Sequence, residues 1–195
     1  MRWSKVKVLA EDLLCDSLKG RVHYQAIVHR KSHDQMGSFR VTLDGVEVFR
    51  ASDIPYNAAV NLRSDELRSE RELKPFPWHL PWQKLEESED YQAYHRAHDD
   101  AEVEVENRGE FPGWEIKRLL FEYIHIPFEE AIAHEHPFMR AISLFDRRFG
   151  KRRLVEMDLQ HENEPVKKFY DIRVTAEGGK HVAVKGELVE SVERE

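Results

Sequence analysis

The chain has 195 residues, of which 41% are hydrophobic and 34% charged, and its formal net charge is −7. This length suits one large domain or two small ones, and the composition suits a buried core beneath a heavily charged surface. The longest apolar runs are only a few residues, which excludes a bilayer-spanning segment, and the negative charge argues against nucleic-acid binding over the whole surface.

The N-terminal part predicts a helix followed by an antiparallel meander. Apolar residues recur at helical spacing over residues 3–18, and Gly20 follows where a C-terminal cap belongs. Alternating apolar residues then predict three strands, with Asp44 and Gly45 as a hairpin turn. The predicted strands lie near residues 21–30, 38–43 and 46–51. We expect the helix to pack on this meander, because nothing else would bury its apolar face.

A strap rich in proline and tryptophan occupies residues 75–82, after a charged surface helix predicted over residues 62–74. Three prolines forbid a regular element in the strap. Its two tryptophans, Trp78 and Trp82, argue against a solvated loop. The sequence therefore predicts an extended segment that lies on the core.

The rest of the chain predicts a mainly helical part, so the fold class is α+β. Helices are predicted near residues 85–105, 114–123, 128–132, 137–150 and 151–160. Residues 165–177 fit both a helix and a strand, and residues 181–188 predict a final strand that would join the N-terminal sheet.

We treat residues 1–195 as a single domain. The strap is the candidate boundary between an α/β part at residues 1–74 and a mainly helical part at residues 83–195.

The densest charge in the chain is a basic cluster at residues 147–153. Residues 146–154 hold five cations and one carboxylate, which gives a local charge of +4. One interpretation is a phosphate-binding or protein-binding site. The other is an internal hub of ion pairs with nearby carboxylates. The five cations are Arg147, Arg148, Lys151, Arg152 and Arg153. The hub would use Glu156, Asp158, Glu162 or Glu164.

Two histidine motifs resemble parts of metal sites. His95 and His98 are three residues apart on a predicted helix, and Asp99 follows them. This spacing places both imidazoles on one helix face, but a complete set of ligands is missing. The second motif, at residues 134–136, alternates His, Glu and His before a proline, which also describes a helix end followed by a new helix start.

The predicted order of elements, a helix followed by three strands and then helices, resembles that of restriction-type nucleases. Glu11 or Asp12 would supply the first carboxylate, and Asp44 and Glu47 the next ones. Phe49 stands where such enzymes carry a catalytic lysine, which argues against a two-metal nuclease. In the turn at residues 30–35, His33 precedes Asp34, and the pair could act as a general base and the carboxylate that orients it. Turns also favour such residues because their side chains bond to the backbone.

The chain resembles a family of bacterial cytosolic proteins of about this length that has no assigned function. The resemblance rests on residues 3–5, 16–22, 30–35, 146–154 and 169–173. It implies a free-standing bacterial protein and transfers no catalytic residue. The single cysteine, Cys15, and the absence of a secretory signal pattern also predict a cytoplasmic location.

Two functions follow from these observations. The first is a non-enzymatic protein that binds another protein, of the toxin-neutralising or regulatory adaptor type, through Trp78 and Trp82 or the basic cluster. The second is a nucleic-acid or nucleotide phosphate-binding protein, with a metal-dependent nuclease or phosphohydrolase as its catalytic form. The sequence contains no Gly-rich phosphate loop or nucleophile elbow, and it predicts no cofactor. Ion pairing of the cluster with its own helices would favour a structural role for it.

Overall fold

The computed structural model describes residues 2–28 and 36–178. Within these residues a helix leads into a three-stranded antiparallel sheet, and helices follow. This architecture confirms the predicted α+β class. The predicted turn at residues 30–35 and the predicted strand near residues 181–188 lie outside the described residues.

The residues predicted as either helix or strand near 165–177 are helical. In chain order the elements are α1 (Trp3–Asp12), β1 (Val22–Val28), β2 (Gly37–Leu43), β3 (Val46–Ser52), α2 (Asp53–Glu70), α3 (Trp82–Leu85), α4 (Glu89–Asn107), α5 (Gly113–Tyr123), α6 (Phe128–Ile132), α7 (Pro137–Ser143), α8 (Lys151–Glu156) and α9 (Glu164–Ala176). No helix in the described part of the chain is long and apolar enough to cross a membrane.

The sheet forms as its alternation predicts, in the order β1-β2-β3. The turn between β2 and β3 is made by Asp44 and Gly45, both with positive φ (50° and 81°), as tight hairpin turns require. Val41 faces Phe49 across the hairpin, and a bulge follows at Thr42. The resulting apolar face is covered by helices from both ends of the chain.

The main core joins residues from both sides of the strap. Phe39 of β2 packs edge-on against Phe138 of α7, and their ring centroids are 5.7 Å apart. The buried Asp53 carboxylate fixes α5 to the sheet, because it accepts hydrogen bonds from the backbone N–H of Gly37 (2.5 Å) and of Trp114 (3.2 Å). The two parts on either side of the strap therefore share one packed interior.

A second, smaller core lies between α2 and α4. It contains Tyr56, Val60, Leu67, Ala97, Ala101 and Val105. Because α2 begins at Asp53, the prediction of a helix over residues 62–74 was wrong at its start. Pro55 lies in the first turn of α2, where a missing backbone N–H costs no helical hydrogen bond.

Two predicted helix ends were wrong for one shared reason. The helix predicted over residues 3–18 ends at Asp12, and the one predicted over residues 137–150 ends at Ser143. The segments that follow them pair with each other in a short antiparallel bridge. In this bridge Cys15 N–H donates to the Phe145 carbonyl (2.9 Å) and Arg147 N–H donates to the Leu13 carbonyl (2.8 Å).

Gly20, expected as a helix cap, and Gly150, at the end of the helix predicted over residues 137–150, serve other purposes. Gly20 lies in a turn with φ of 77°, well beyond the end of α1. Gly150 is the N-cap residue of α8, so it starts a helix instead of ending one.

Candidate functional site

The basic cluster lies between α7 and α9 and is largely paired with carboxylates of its own chain. Arg148 contacts Asp146 (2.6 Å), Lys151 contacts Glu177 (2.7 Å), Arg152 contacts Glu156 (2.9 Å) and Arg153 contacts Glu129 (2.9 Å). The hydrogen bond from Lys151 lowers the pKa of Glu177. Of the carboxylates expected to form a hub, Glu156 is used. This pairing favours the internal hub over an open anion site.

Asp146 is the buried centre of this region. Its side chain has no exposed surface, and its carboxylate accepts hydrogen bonds from Tyr123 Oη, from Arg148 Nε (3.0 Å) and from Arg148 N–H (2.8 Å). Arg173, also buried, donates to the Leu144 carbonyl (2.7 Å) and the Phe149 carbonyl (3.2 Å). These contacts hold the irregular segment after α7 in place.

The strap is anchored to the fold by residues other than its tryptophans. Phe76 packs edge-on against Tyr91 and Tyr94 of α4, with ring centroids 5.6 and 5.2 Å away. Trp78 and Trp82 are instead 84% and 71% exposed. The strap therefore lies against α4 through Phe76, on which the Trp78 ring packs from the solvent side with centroids 4.4 Å apart. The expectation that the tryptophans make a solvated segment unfavourable was wrong, because both indoles are exposed.

An acidic run follows the strap directly. Residues 86–90 contain four carboxylates, at Glu86, Glu87, Glu89 and Asp90. Lys74 pairs with Asp90 (3.1 Å), but no ion pair found among the described residues uses the other three. Two exposed indoles are therefore followed closely in the sequence by carboxylates without an ion pair in the described part of the chain.

The predicted metal ligands on α4 have separate surroundings. The His95 ring lies 4.3 Å from the Tyr91 ring, and His98 Nε2 lies 3.8 Å from Glu102 Oε1. Asp99 is exposed. Over residues 2–28 and 36–178, no group of three or more His, Cys, Asp or Glu side chains is arranged to hold a metal ion.

The carboxylates of the nuclease comparison are each engaged by a cation. Asp44 accepts two-pronged hydrogen bonds from Arg21 (shortest 2.6 Å), which lower the pKa of the Asp44 carboxyl. Glu47 pairs with Arg40 (3.2 Å). Glu11 pairs with Lys7 (3.6 Å) and also accepts from the N–H of Tyr24 (3.2 Å), and Asp12 lies 3.7 Å from Lys19. These side chains hold the helix and hairpin together.

A polar cleft between α4, α5 and the start of α7 is the feature that the sequence indicated least. Its volume is about 360 Å³. One wall is the motif at residues 134–136, and the other carries carboxylates that no sequence pattern singled out. Those carboxylates, Glu106 and Glu115, lie on the consecutive helices α4 and α5, and the turn at residues 134–136 faces them only in the fold.

Burial shifts the pKa of one side chain on each wall of the cleft. It lowers the pKa of His136 to about 4, with the nearby His134 and arginines as further causes. It raises the pKa of Glu106, although that carboxylate accepts a hydrogen bond from Tyr56 Oη (3.1 Å).

A family model described as the SF0329 protein family matches residues 2–174. The chain belongs to this family. The match takes in the strap, both cleft walls and every described element except the last two residues of α9, and it confirms the resemblance to a family without an assigned function. A search of curated proteins found no match, and neither did a search of solved structures.

The structure thus separates the residues that the sequence grouped as candidates. Trp78 and Trp82 both belong to the strap and are largely exposed. Arg148, by contrast, is bound to a buried carboxylate. Lys151 and Arg152 remain exposed at 75% and 91% although paired. A binding role for these two cations stays a prediction.

Proposed function

We propose that this is a bacterial cytosolic, non-enzymatic protein that binds another protein, of the toxin-neutralising or regulatory adaptor type, through its strap and acidic run. The observation that supports the proposal most is the exposure of Trp78 and Trp82, at 84% and 71%. Tryptophan is among the residues most enriched at the energetic centres of protein interfaces.

The energetic argument starts from the indole area left in water. An aromatic side chain buries roughly 150–250 Å², which at about 25 cal/mol per Å² corresponds to roughly 4–6 kcal/mol before the costs of association. Two such side chains on one short segment supply the anchors of a typical hot spot. Phe76 and the buried Pro77 hold the segment on α4, so less conformational freedom is lost on binding.

Charge indicates what kind of partner fits. Glu86, Glu87 and Glu89 follow Trp82 in the sequence within a few residues and form no ion pair found among the described residues. A partner segment that combines apolar side chains with lysine or arginine would match both features. The net charge of −7 acts in the same direction, because it attracts a basic partner over a longer range.

The phosphate-binding alternative depends on the basic cluster. Four of its five cations contact carboxylates of the same chain, so a nucleic acid would have to compete with bonds already made. This competition ranks the alternative second, and the same experiment distinguishes the two.

The test is an affinity capture from the native cell, followed by titration of the captured protein after purification. We expect the W78A/W82A variant to lose at least about 30-fold in affinity, which corresponds to a hot-spot loss of about 2 kcal/mol. Trp114→Ala is the matched control, because Trp114 is 61% exposed on α5, away from the strap. It should retain the wild-type affinity.

Two further variants separate charge effects from the alternative function. Replacing Glu86, Glu87 and Glu89 with glutamine should slow association and reduce its salt dependence. An R152E/R153E variant should leave protein binding unchanged. Captured nucleic acid that is lost as salt rises and is abolished by R152E/R153E would favour the phosphate-binding alternative. Equal affinity of W78A/W82A and the wild type would contradict the proposed surface.

A further inference from the structure

The polar cleft has the size of a small-molecule site. Its volume of about 360 Å³ falls within the range of ligand pockets. The apolar part of its lining comes from Val103, Leu119 and Pro137. No strap residue lines it, so a ligand there would bind independently of the proposed partner surface.

The two cleft histidines are held in one tautomer by the backbone. The N–H of His136 donates to His134 Nδ1 (3.0 Å), and the N–H of Phe138 donates to His136 Nδ1 (3.1 Å). A neutral imidazole whose Nδ1 accepts a hydrogen bond carries its proton on Nε2. Both side chains therefore present an Nε2–H donor.

The donor of His136 has no acceptor in the protein. Its Nε2 atom is buried and makes no hydrogen bond, and the His136 side chain is 11% exposed. The nearest carboxylate oxygen, Glu115 Oε2, is 4.0 Å away, which is too long for a hydrogen bond. A buried donor without a partner costs about 1–3 kcal/mol, so such a group in a cleft points to a bound acceptor.

The histidine wall is rigid. Arg140 Nη1 donates to the carbonyls of His134 and Glu135, both at 2.7 Å. Its other nitrogens bind Glu162 (3.1 Å) and Asn163 (3.1 Å) of the following segment. The turn that carries the donors is thus fixed before any ligand arrives, which reduces the cost of binding.

The opposite wall offers acceptors. Glu115 lies beside His136, and Glu106 lies deeper, bonded to Tyr56. Glu122, 3.6 Å from His134 Nε2, adds negative charge at the rim, which Arg118 partly offsets through a 3.1 Å contact. Because carboxylates outnumber cations here, an anionic ligand would be repelled.

A metal ion does not fit these walls. A histidine binds a metal through a ring nitrogen with a free lone pair, and the Nε2 atoms carry protons in the tautomer that the backbone imposes. The described residues also bring no third ligand to the histidine pair.

We propose that the cleft binds an uncharged planar molecule with an amide edge, such as a primary carboxamide or a pyrimidine-type ring. Its carbonyl accepts from His136 Nε2–H, and its adjacent N–H donates to Glu115. An amide places an acceptor and a donor side by side, which suits a protein donor and acceptor 4.0 Å apart. The ring packs on Val103, Leu119 and Pro137.

The experiment compares nicotinamide and uracil with nicotinate, which has the shape of nicotinamide but a carboxylate in place of the amide. Binding is followed by calorimetry and by ¹⁵N spectra of the histidine rings of the full chain. We expect both uncharged probes to bind with a dissociation constant of about 1 mM or lower. Nicotinate should bind at least about tenfold more weakly. The His136 Nε2–H signal should shift on binding.

The variants are His136→Asn and Glu115→Gln. Asparagine keeps an acceptor for the Phe138 N–H, as an N-cap residue should, but removes the deep donor. Each variant should weaken binding of the uncharged probes by about tenfold. His125→Asn is the control, because His125 is exposed and lies outside the cleft lining. It should bind like the wild type.

Several outcomes would overturn the proposal. They are no binding of either uncharged probe at about ten times that concentration, equal binding of nicotinamide and nicotinate, and a ring proton on Nδ1 of His136. If His136→Asn does not fold, Glu115→Gln and the wild-type ring signals decide the matter. Failure here leaves the strap proposal intact, since Trp78→Ala and Trp82→Ala do not touch the cleft.

Discussion

Replacing Asp146 with asparagine should destabilise the protein far more than any change in the exposed part of the basic cluster. The Asp146 carboxylate is fully buried, and Tyr123 and Arg148 direct their donors at it. Asparagine preserves the shape but removes the charge and turns one acceptor into a donor. The amide N–H group of the asparagine then faces at least one of the donors of Tyr123 and Arg148.

The magnitude follows from the exposure of the partner. Removing one member of a buried ion pair costs about 3–5 kcal/mol. The Arg148 side chain is 37% exposed and regains some hydration, so we expect about 3 kcal/mol. For a domain of this size each kcal/mol lowers Tm by about 2–4 °C, which gives a decrease of about 6–12 °C.

The assay is urea and thermal unfolding of D146N beside R152Q. Arg152 is 91% exposed, and its pair with Glu156 is an exposed i,i+4 contact worth about 0.3–0.5 kcal/mol. R152Q should therefore unfold close to the wild type. If D146N lost no more stability than R152Q, the view of Asp146 as the structural centre of the cluster would be refuted.

The remaining predictions concern the packing of α5 and the titration of the cleft. Gly113→Ala should cost about 1–3 kcal/mol in an unfolding titration, because a Cβ there would lie 2.9 Å from the Ser38 Cα and 3.0 Å from the Gly37 carbonyl oxygen; Gly150→Ala, where a Cβ meets nothing, is its control, and equal losses would contradict the packing. In the folded state the pKa of His136 falls from 6.5 to about 4, so its contribution to stability is complete above pH 6.5 and is lost as the pH falls through about 4. H136N should therefore lose less stability than the wild type between pH 6.5 and 4, measured by urea unfolding across that range; parallel curves would contradict the burial of the neutral ring.

The sheet was predictable because its signals are local. Alternating residues and the Asp44-Gly45 turn specify the register of β2 and β3 without reference to the rest of the chain. The ends of α1 and α7 were not predictable in this way. They are set by the bridge between Leu14 and Asp146, whose partners are far apart in sequence. Helical periodicity continues past both ends because the same apolar residues are buried in either conformation.

The candidate sites show the same division between local signals and contacts that form only in the fold. Composition alone identified the tryptophans and the cations, but it did not say which were in water. In the strap, Phe76 packs on Tyr91 and Tyr94, and Trp78 packs on Phe76 while most of its surface stays in water. The cleft needs Glu106, Glu115 and the turn at residues 134–136 to meet, and no spacing in the sequence encodes that meeting.

Charge density in the sequence proved a poor guide to where charge is available for binding. The basic cluster is the densest group, yet its cations contact Asp146, Glu177, Glu156 and Glu129. In each pair the carboxylate as well as the cation is already bonded within the chain. A less conspicuous group, Glu86, Glu87 and Glu89, forms no ion pair found among the described residues and follows the exposed Trp82 in the sequence.

The physical reason is that a charge interacts with a partner only to the extent that its own chain leaves it unpaired. An arginine already bonded to a carboxylate must give up that bond before it binds a phosphate, so much of the gain is cancelled. A free glutamate loses only its hydration. The strap and the acidic run therefore carry more binding potential per residue than the basic cluster. We accordingly expect capture of the partner to be lost in W78A/W82A and retained in R152E/R153E.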